Sequence, residues 1–280
     1  TAANKGVLTP ATDFDGTIGK YKYHFDSNIY ANRVFDSKGV ADPGVEIHFG
    51  PNIKDWPQQP ELTDDLLVKI VSYITDPVTT TDELIPSGET SSFRSNPLRL
   101  AEFTLSRKDP AYVGRAKAVK VLDEARTAGT LPEEVQAVYA ALEKAGYKPN
   151  AAATNIGSAI FANKPGDGSA REQAASCQRV LGASANIARE YATKRYRSNL
   201  INWGMLPLIS KDRFEVNDVI IMPDVKTRLI AQNSFSAYLV RNGAVKRITL
   251  DMDTITLTER DIILAGSLIN YYAESANKED

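Results

Sequence analysis

One segment constrains the fold of this chain more than any other, because it leads a short apolar strand through a Gly-x-Gly turn directly into a helix. The strand is predicted at Ile156–Phe161, the turn holds Gly166 and Gly168, and the helix covers about 170–181. Glycines at these two positions let the backbone turn tightly and approach a ligand closely. A strand that is followed at once by a helix is the element order of α/β proteins.

The elements predicted around this segment also alternate, so the expected fold class is mixed α/β. Strands are predicted at 66–74, 184–188, 205–209 and through most of 218–257, and helices at about 98–106, 111–128, 132–144 and 191–202. Leu84-Ile85 is expected to end a strand, and Asn242-Gly243 between two apolar runs predicts a β-hairpin. Thr258-Glu259-Arg260-Asp261 resembles a capping box that opens a final helix. That helix is expected to bury Ile262, Ile263, Leu268 and Ile269.

Residues 1–60 contain too many glycines and prolines for a helix or a long strand. They nevertheless hold aromatic side chains that a free linker would not need: Tyr21, Tyr23, Phe25, Tyr30, Phe35 and Trp56. The segment is therefore expected to be an extended linker that wraps over a surface, here or on a preceding domain, with a disordered lead-in as the alternative. The main predicted domain is 61–275. A chain that begins at Thr1 without a signal peptide is interpreted as a piece of something longer.

Charge, cysteine and histidine content exclude several classes of function. A net charge of -2 gives no electrostatic footprint for nucleic acid or for an anionic membrane surface. The single cysteine, Cys177, excludes an internal disulfide framework, and His24 and His48 are too few for a His-rich metal site. No apolar run is long enough to span a bilayer. We expect a soluble, cytoplasmic protein whose chemistry uses carboxylates, hydroxyls and guanidiniums.

The start of the helix at about 170 is the candidate functional site. Unpaired N–H groups at a helix N-terminus bind anions, and the helix dipole stabilises negative charge there. Arg171 could clamp a carboxylate or phosphate, and Ser169 could lose its proton at this position. The alternative is that Ser169 only caps the helix and Arg171 is a solvated surface residue.

Several motifs resemble those of the aconitase superfamily's swivelling C-terminal domain. The stretch from Gly166 to Ala175 resembles Gly-x-Gly-Ser-Ser-Arg-Glu-His-Ala-Ala, and Arg179-Val180-Leu181-Gly182-Ala183 resembles Arg-His-Leu-Gly-Gly. Residues 199–208 resemble Asn-Leu-x-x-x-Gly-Leu-Leu-Pro-Leu, and Thr80-Thr81-Asp82-Glu83 is similar to Thr-Thr-Asp-His. Phe93-Arg94 follows Asp82 at the family's separation. The resemblance covers about 50–272 and implies the aconitase-type swivelling β/β/α fold, a mixed sheet flanked by helices.

The resemblance also implies roles for individual residues. Ser169 would be the base that removes a proton from carbon, Arg171 would bind a substrate carboxylate, and Arg94 would grip a second carboxylate. Fixed guanidiniums would stabilise the negative charge that develops next to the carboxylate. Asp82, Gly168 and Asp167 would support the site. For Asp82, local turn capping is an equal alternative, and for Arg94 the alternative is a surface side chain in a Ser-rich loop.

Some positions depart from the family pattern. Ala170 replaces a serine that contacts a substrate carboxylate, so the substrate is expected to differ from citrate or to be turned over weakly. Gln173 and Glu83 replace histidines, which removes two groups that titrate near neutral pH. A helical insertion at about 108–148 is also unlike ordinary aconitases and suggests an outlying branch of hydratases.

The family's cofactor is a [4Fe-4S] cluster held by three cysteines, which the lone Cys177 cannot replace. The cluster is therefore expected to belong to other domains or to a large subunit, with no metal ligands in this chain. The leading hypothesis is the C-terminal domain of an aconitase-like hydro-lyase, inactive alone, that acts on a tricarboxylic or related hydroxy-acid substrate. The alternatives are a non-catalytic anion-binding or regulatory module and an RNA-binding module. The RNA-binding alternative rests only on the basic stretch Arg189, Lys194, Arg195 and Arg197.

Overall fold

The computed structural model describes residues 2–10, 13, 23–33, 38–46 and 48–276, and the chain forms two compact units, Thr1–His48 and Phe49–Asp280. In the first unit a short helix, α1, spans Asn28–Ala31, and the Phe25 and Tyr30 rings stack with centroids 5.6 Å apart. Tyr21 and Phe35, which the sequence analysis singled out, lie outside the described residues. The predicted boundary at residue 60 remains a prediction, although in the structure the second unit already begins at Phe49.

The second unit contains nine strands and nine further helices within its described part. The strands are β1 (Asp65–Ile74), β2 (Thr79–Thr80), β3 (Thr154–Ala162), β4 (Pro165–Asp167), β5 (Ala183–Ala188), β6 (Leu206–Ile209), β7 (Val219–Met222), β8 (Ser234–Arg241) and β9 (Ala244–Asp251). The helices are α2 (Thr81–Leu84), α3 (Pro97–Ala101), α4 (Tyr112–Thr127), α5 (Glu133–Lys144), α6 (Arg171–Val180), α7 (Lys194–Asn202), α8 (Val225–Ala231), α9 (Leu257–Leu264) and α10 (Leu268–Ala276). Short 3₁₀ helices span Ser91–Phe93 and Ala151–Ala153.

Seven strands close into a mixed barrel in the order β1-β3-β5-β6-β9-β8-β7. The strands β1, β3, β5 and β6 pair in parallel, and β7, β8 and β9 complete the barrel with antiparallel pairs. The closure between β6 and β9 rests on one pair, Ile209 with Asp251. The predicted mixed α/β sheet with flanking helices is confirmed.

Alternate residues of β1 enter two apolar cores, which explains why this strand is apolar almost throughout. Val68 and Ile70 belong to the core inside the barrel, and Leu67 and Val71 to the core between the barrel and its helices. The second core also contains Val135 and Leu142 of α5, while Val138 of the same helix is only partly buried. The helices predicted in the segment 108–148 are therefore present and packed on the barrel.

The structure corrects four local predictions. Thr81–Leu84 is a helix and not a strand end, because Thr80 and Glu83 form a capping box. Helix α8 interrupts the region predicted as continuous strands, after Asp224 in the left-handed conformation. The C-terminal capping box is formed by Thr256 and Glu259 and does not begin at Thr258. The final helix, predicted as one element, is divided into α9 and α10, and Ile269 of α10 is 53% exposed. The Asn242-Gly243 hairpin is confirmed, with Arg241 paired to Ala244.

No helix in the described part of the chain has the length and apolar character that crossing a membrane requires.

Candidate active site

Two sequence-distant turns meet in a small parallel pair of strands beside the barrel. Thr79 of β2 pairs with Pro165 of β4, and Thr80 pairs with Asp167. This pairing places the turn that carries Asp82 next to the Gly-x-Gly turn that leads to Ser169. Two motifs that the sequence could only order along the chain are therefore adjacent in space.

Each glycine of the Gly-x-Gly turn is required by a specific neighbour. A Cβ atom on Gly168, where φ is +125°, would lie 2.2 Å from Thr81 Oγ1. A Cβ atom on Gly166, where φ is +98°, would lie 2.3 Å from the ring of Tyr196. The Thr193 hydroxyl also donates a hydrogen bond to the Gly166 carbonyl, 3.2 Å. The turn is therefore fixed by α2 on one side and by α7 on the other, with the positive φ values that favour glycine.

Ser169 is exposed and lies immediately before the N-terminus of α6. The N-cap residue of this helix is Ala170, and no side chain caps the helix. The alternative in which Ser169 serves only as a cap is therefore wrong. The first N–H group to bond within this turn is that of Ala174, to the Ala170 carbonyl, 3.0 Å. The preceding N–H groups of the first turn face the N-terminal end of α6, where the helix dipole is positive.

The two arginines predicted to bind carboxylates carry no carboxylate partner within the described residues. Arg171 is partly exposed, and its Nε is buried without a hydrogen bond. Arg94 is exposed, caps the C-terminal end of the 3₁₀ helix Ser91–Phe93 and lies three residues before the start of α3. Helix α3, which follows the Arg94 loop, packs against α6, the helix that Arg171 begins. Among the described residues, no hydrogen bond joins Arg94 to Ser169 or to Arg171.

Asp82 is held by an arginine that the sequence analysis did not single out. Arg107 Nη1 lies 2.9 Å from Asp82 Oδ2, and Arg107 Nη2 is also bonded to Glu89. Asp82 is exposed in the first turn of α2, so both a supporting role and a simple ion pair remain compatible with its position. Arg107 belongs to none of the motifs identified in the sequence, so nothing in its sequence context singled it out. Asp167 is exposed in β4, and its part in the site remains a prediction.

Glu83, which stands where the family has a histidine, serves local structure. Its carboxylate accepts a hydrogen bond from the Thr80 N–H, 2.7 Å, and lies 3.2 Å from Lys108 Nζ. Burial alone would raise the pKa of Glu83, but the hydrogen bonds from Thr80 and the charge of Lys108 lower it below its ordinary value. The Thr-x-x-Glu spacing is itself the sequence signal for this capping box.

The basic stretch considered for RNA is divided by the fold. The Arg189 guanidinium donates to the Ser210 carbonyl, 2.6 Å, and lies over the Phe161 ring. Arg197 is 9% exposed and donates to the Thr254 carbonyl. Only Lys194 and Arg195 of this stretch are exposed. Two adjacent surface cations do not form the continuous basic stripe of a nucleic-acid interface.

A groove of about 870 Å³ lies around the ends of β6 and β9, at a place other than the Gly-x-Gly turn and its neighbours. Its lining includes Lys211, Arg247 and Asp251 and none of the six predicted site residues.

The residues of this chain do not fit an iron–sulfur cluster. No group of three histidine, cysteine, aspartate or glutamate side chains among the described residues could hold a metal ion. Cys177 is 2% exposed, and burial raises the pKa of its thiol to about 12. A buried, protonated thiol lacks the thiolate character and access that cluster ligation requires.

Comparison with known proteins finds similarity, over part of the chain, to the family that the motifs resemble. Residues 133–213 match the family Aconitase C-terminal domain. The chain is 30% identical over 132 residues to aconitate hydratase A of Rickettsia bellii, covering 44% of this chain and 15% of that protein. It is 33% identical over 107 residues to the methanogen homoaconitase small subunit of Methanocaldococcus jannaschii, covering 38% of this chain and 55% of that protein.

Among solved structures, 3-isopropylmalate dehydratase (leuD) of Methanocaldococcus jannaschii aligns with a TM-score of 0.47 and 21% identity, over 77% of this chain and 97% of that one. The segment that matches the Aconitase C-terminal domain family, residues 133–213, contains the Gly-x-Gly turn, Ser169 and Arg171. Asp82 and Arg94 lie outside that segment.

Proposed function

We propose that this chain, in which the resemblance to the aconitase C-terminal domain is confirmed, supplies the serine base and the carboxylate-binding arginines of an aconitase-like hydro-lyase. The substrate class is a tricarboxylic or related hydroxy acid. One observation carries the proposal: Ser169 is exposed at an uncapped helix N-terminus, two residues before Arg171, whose guanidinium has no carboxylate partner among the described residues. The remaining domains, or a large subunit, complete the site.

The proposed chemistry of this chain is binding followed by one proton transfer. Arg171 and Arg94 each bind a substrate carboxylate, which orients the carbon that carries the proton. The Ser169 Oγ, as the alkoxide, takes that proton while hydroxide leaves from the neighbouring carbon. The electron pair of the broken C–H bond forms the new double bond, and negative charge passes through the adjacent carboxylate in the transition state. The open N–H groups of α6 and the Arg171 guanidinium stabilise both the alkoxide and this developing charge.

The proposal assigns no step to a metal centre of this chain. Aconitase-like enzymes use a [4Fe-4S] cluster, and the residues described above do not fit one, so the cluster is assigned to the partner domains. The proposed division of labour has a direct consequence: the isolated chain binds polycarboxylates and does not dehydrate them.

Citrate titration of the full chain by calorimetry tests the binding part. We expect Arg94→Ala and Arg171→Ala each to weaken citrate binding at least about tenfold, because a charge-assisted bidentate contact is lost. Arg247→Ala is the matched control, since this arginine is exposed and lies in β9, where it lines a groove that contains none of the predicted site residues. Unchanged affinity in both site variants would contradict the proposed site.

Turnover measurements test the catalytic part. Turnover of cis-aconitate by the metal-free chain alone would contradict the division of labour. In the complete enzyme, Ser169→Ala is expected to abolish turnover while the affinity of this chain for citrate is retained. Retained turnover in Ser169→Ala, together with citrate binding that depends on the arginines, would instead identify a non-catalytic anion-binding module.

A further inference from the structure

An extended segment, residues 52–60, lies along the second unit and is fixed to it at three places; we call it the strap. It has no helix or strand of its own. Its contacts join the C-terminal end of α6, the side of α6 near its N-terminus and the loop that carries Arg94.

The first attachment is a buried arginine clamp. The guanidinium of Arg179, which is 7% exposed, donates hydrogen bonds to Gln59 Oε1 at 2.9 Å and to the Pro60 carbonyl at 2.9 Å. The same group donates to the Gly266 carbonyl, 3.2 Å, so one side chain joins α6, the strap and the turn between α9 and α10. Asn270 Nδ2 also donates to the Gln59 carbonyl, 2.9 Å. This end of the strap is therefore held through its backbone as well as its side chains.

The second attachment is a pair of tryptophans. The rings of Trp56 and Trp203 lie with their centroids 4.4 Å apart and their planes at 44°. Trp203 is 7% exposed, and its Nε1 donates a hydrogen bond to Glu172 Oε1, 3.1 Å. Glu172 immediately follows Arg171, so the strap is joined through Trp203 to the first turn of α6.

The third attachment is the Arg94 loop itself. The Lys54 N–H donates to the Ser95 carbonyl, 2.9 Å, and Asn52 Nδ2 donates to the Ser92 carbonyl. These two acceptors stand on either side of Arg94. The strap is thus bonded both to the loop that holds Arg94 and to the helix that begins with Arg171.

We propose that Asn52 and Trp56 are positioning residues, through which the docked strap holds Arg94 and Arg171 at the separation that one polycarboxylate ligand requires. The inference rests on the proposed function, because it concerns the same carboxylate site. Neither residue touches the ligand. Because binding free energies are reciprocal, a ligand that bridges the two arginines also tightens the docking of the strap.

A strap that merely covers apolar surface would behave differently. Truncating it would lower the free energy of unfolding and leave the affinity for a polycarboxylate unchanged. Affinity measured beside stability therefore separates positioning from covering.

The test uses the full chain with citrate as the probe. We expect Asn52→Ala and Trp56→Ala each to weaken citrate binding roughly fivefold or more, which is the lower end of typical coupling between sites. Trp56→Phe is expected to restore most of the affinity, because an aromatic ring is still present to pack on Trp203. Ile53→Ala is the matched control, since Ile53 is 43% exposed in the same strap and has neither an aromatic ring to pack on Trp203 nor a side-chain hydrogen-bonding group.

Tryptophan spectroscopy reports the docking of the strap separately from any measurement of ligand affinity. Trp56 and Trp203 are the only two tryptophans of the chain, so exciton-coupled circular dichroism from their closely spaced rings reports strap docking directly. We expect citrate to strengthen this signal in the unaltered chain, and Asn52→Ala to weaken it without loss of the helical spectrum. Asn52 is an exposed residue, so its truncation cannot unfold the core.

The outcomes separate the two proposals. If the unaltered chain and Arg94→Ala both fail to bind citrate, the proposed function fails and the strap inference fails with it. If the unaltered chain binds citrate, Arg94→Ala weakens binding, and Asn52→Ala and Trp56→Ala bind as tightly as Ile53→Ala, the strap inference alone is overturned.

Discussion

The Oγ1 atom of Thr81 lies 2.2 Å from the position that a Cβ atom on Gly168 would occupy. This approach joins the turn after β2 to the turn before α6, and it leaves no room for a side chain between them. Residues on either side of the contact, Asp82 and Ser169, are both exposed. The contact therefore sets the distance between two parts of the proposed site.

Gly168→Ala is expected to lower the free energy of unfolding by about 1–3 kcal/mol, because the new methyl group meets Thr81 and φ is +125°. Urea denaturation measures the change. Adding Thr81→Ala should recover part of the loss, since the Oγ1 atom is removed while the backbone strain remains. Gly114→Ala is the control: a Cβ atom there meets nothing within 4 Å, and its helical position favours alanine. Equal stability of the Gly168→Ala and unaltered chains would contradict this account of the turn.

Arg179→Ala is expected to destabilise the second unit by about 3 kcal/mol, because it removes the hydrogen bonds of a buried guanidinium to the carbonyls of Pro60 and Gly266. Burial lowers the pKa of Arg179 to about 10, so the side chain is still charged at neutral pH. Arg195→Ala, at an exposed position, should change the stability by less than about 0.5 kcal/mol. A similar small effect for Arg179→Ala would show that the clamp does not stabilise the fold.

Glu83 is expected to make the stability of the chain depend on pH. Burial raises the pKa of its carboxyl group, but the hydrogen bonds from Thr80 and the charge of Lys108 together outweigh burial. The pKa of Glu83 in the folded state is therefore below its ordinary value of 4.5. Because the folded pKa is lower than the unfolded pKa, ionised Glu83 stabilises the fold at pH values above its unfolded pKa. This stabilisation is lost as the pH falls through the folded pKa. Chemical denaturation of the unaltered chain and of Glu83→Gln should therefore differ most near neutral pH and converge in acid. A difference that grows in acid would contradict the sign of the shift.

Cys177 is expected to be unreactive in the folded protein. Burial raises the pKa of its thiol to about 12, so alkylation by iodoacetamide at mildly alkaline pH should be at least about a hundredfold slower than in the unfolded chain. Because the chain has one cysteine, the modification rate measured by mass spectrometry reports this site alone. Rapid alkylation under native conditions would show that α6 opens readily.

The elements that could be predicted from the sequence are those encoded by neighbouring residues. The hairpin at Asn242-Gly243, the apolar strand β1 and the helix after the Gly-x-Gly turn each depend on contacts within a few positions. The same holds for the Thr80–Glu83 capping box, whose Thr-x-x-Glu signal was present but was outweighed by the apolar Leu84-Ile85 that follows. Helix α8 was missed because its seven residues lie between strands and begin at a left-handed Asp224.

Within the candidate site, the sequence by itself determined the turn, its two glycines, the serine and the helix start, because glycine spacing and helix polarity are local properties. Only the tertiary structure decided which segments meet there. The pairing of β2 with β4, the ion pair of Arg107 with Asp82 and the strap beside Arg94 each join positions far apart along the chain. Such contacts depend on how the barrel closes and which surfaces its helices cover, and no spacing within one segment encodes that choice.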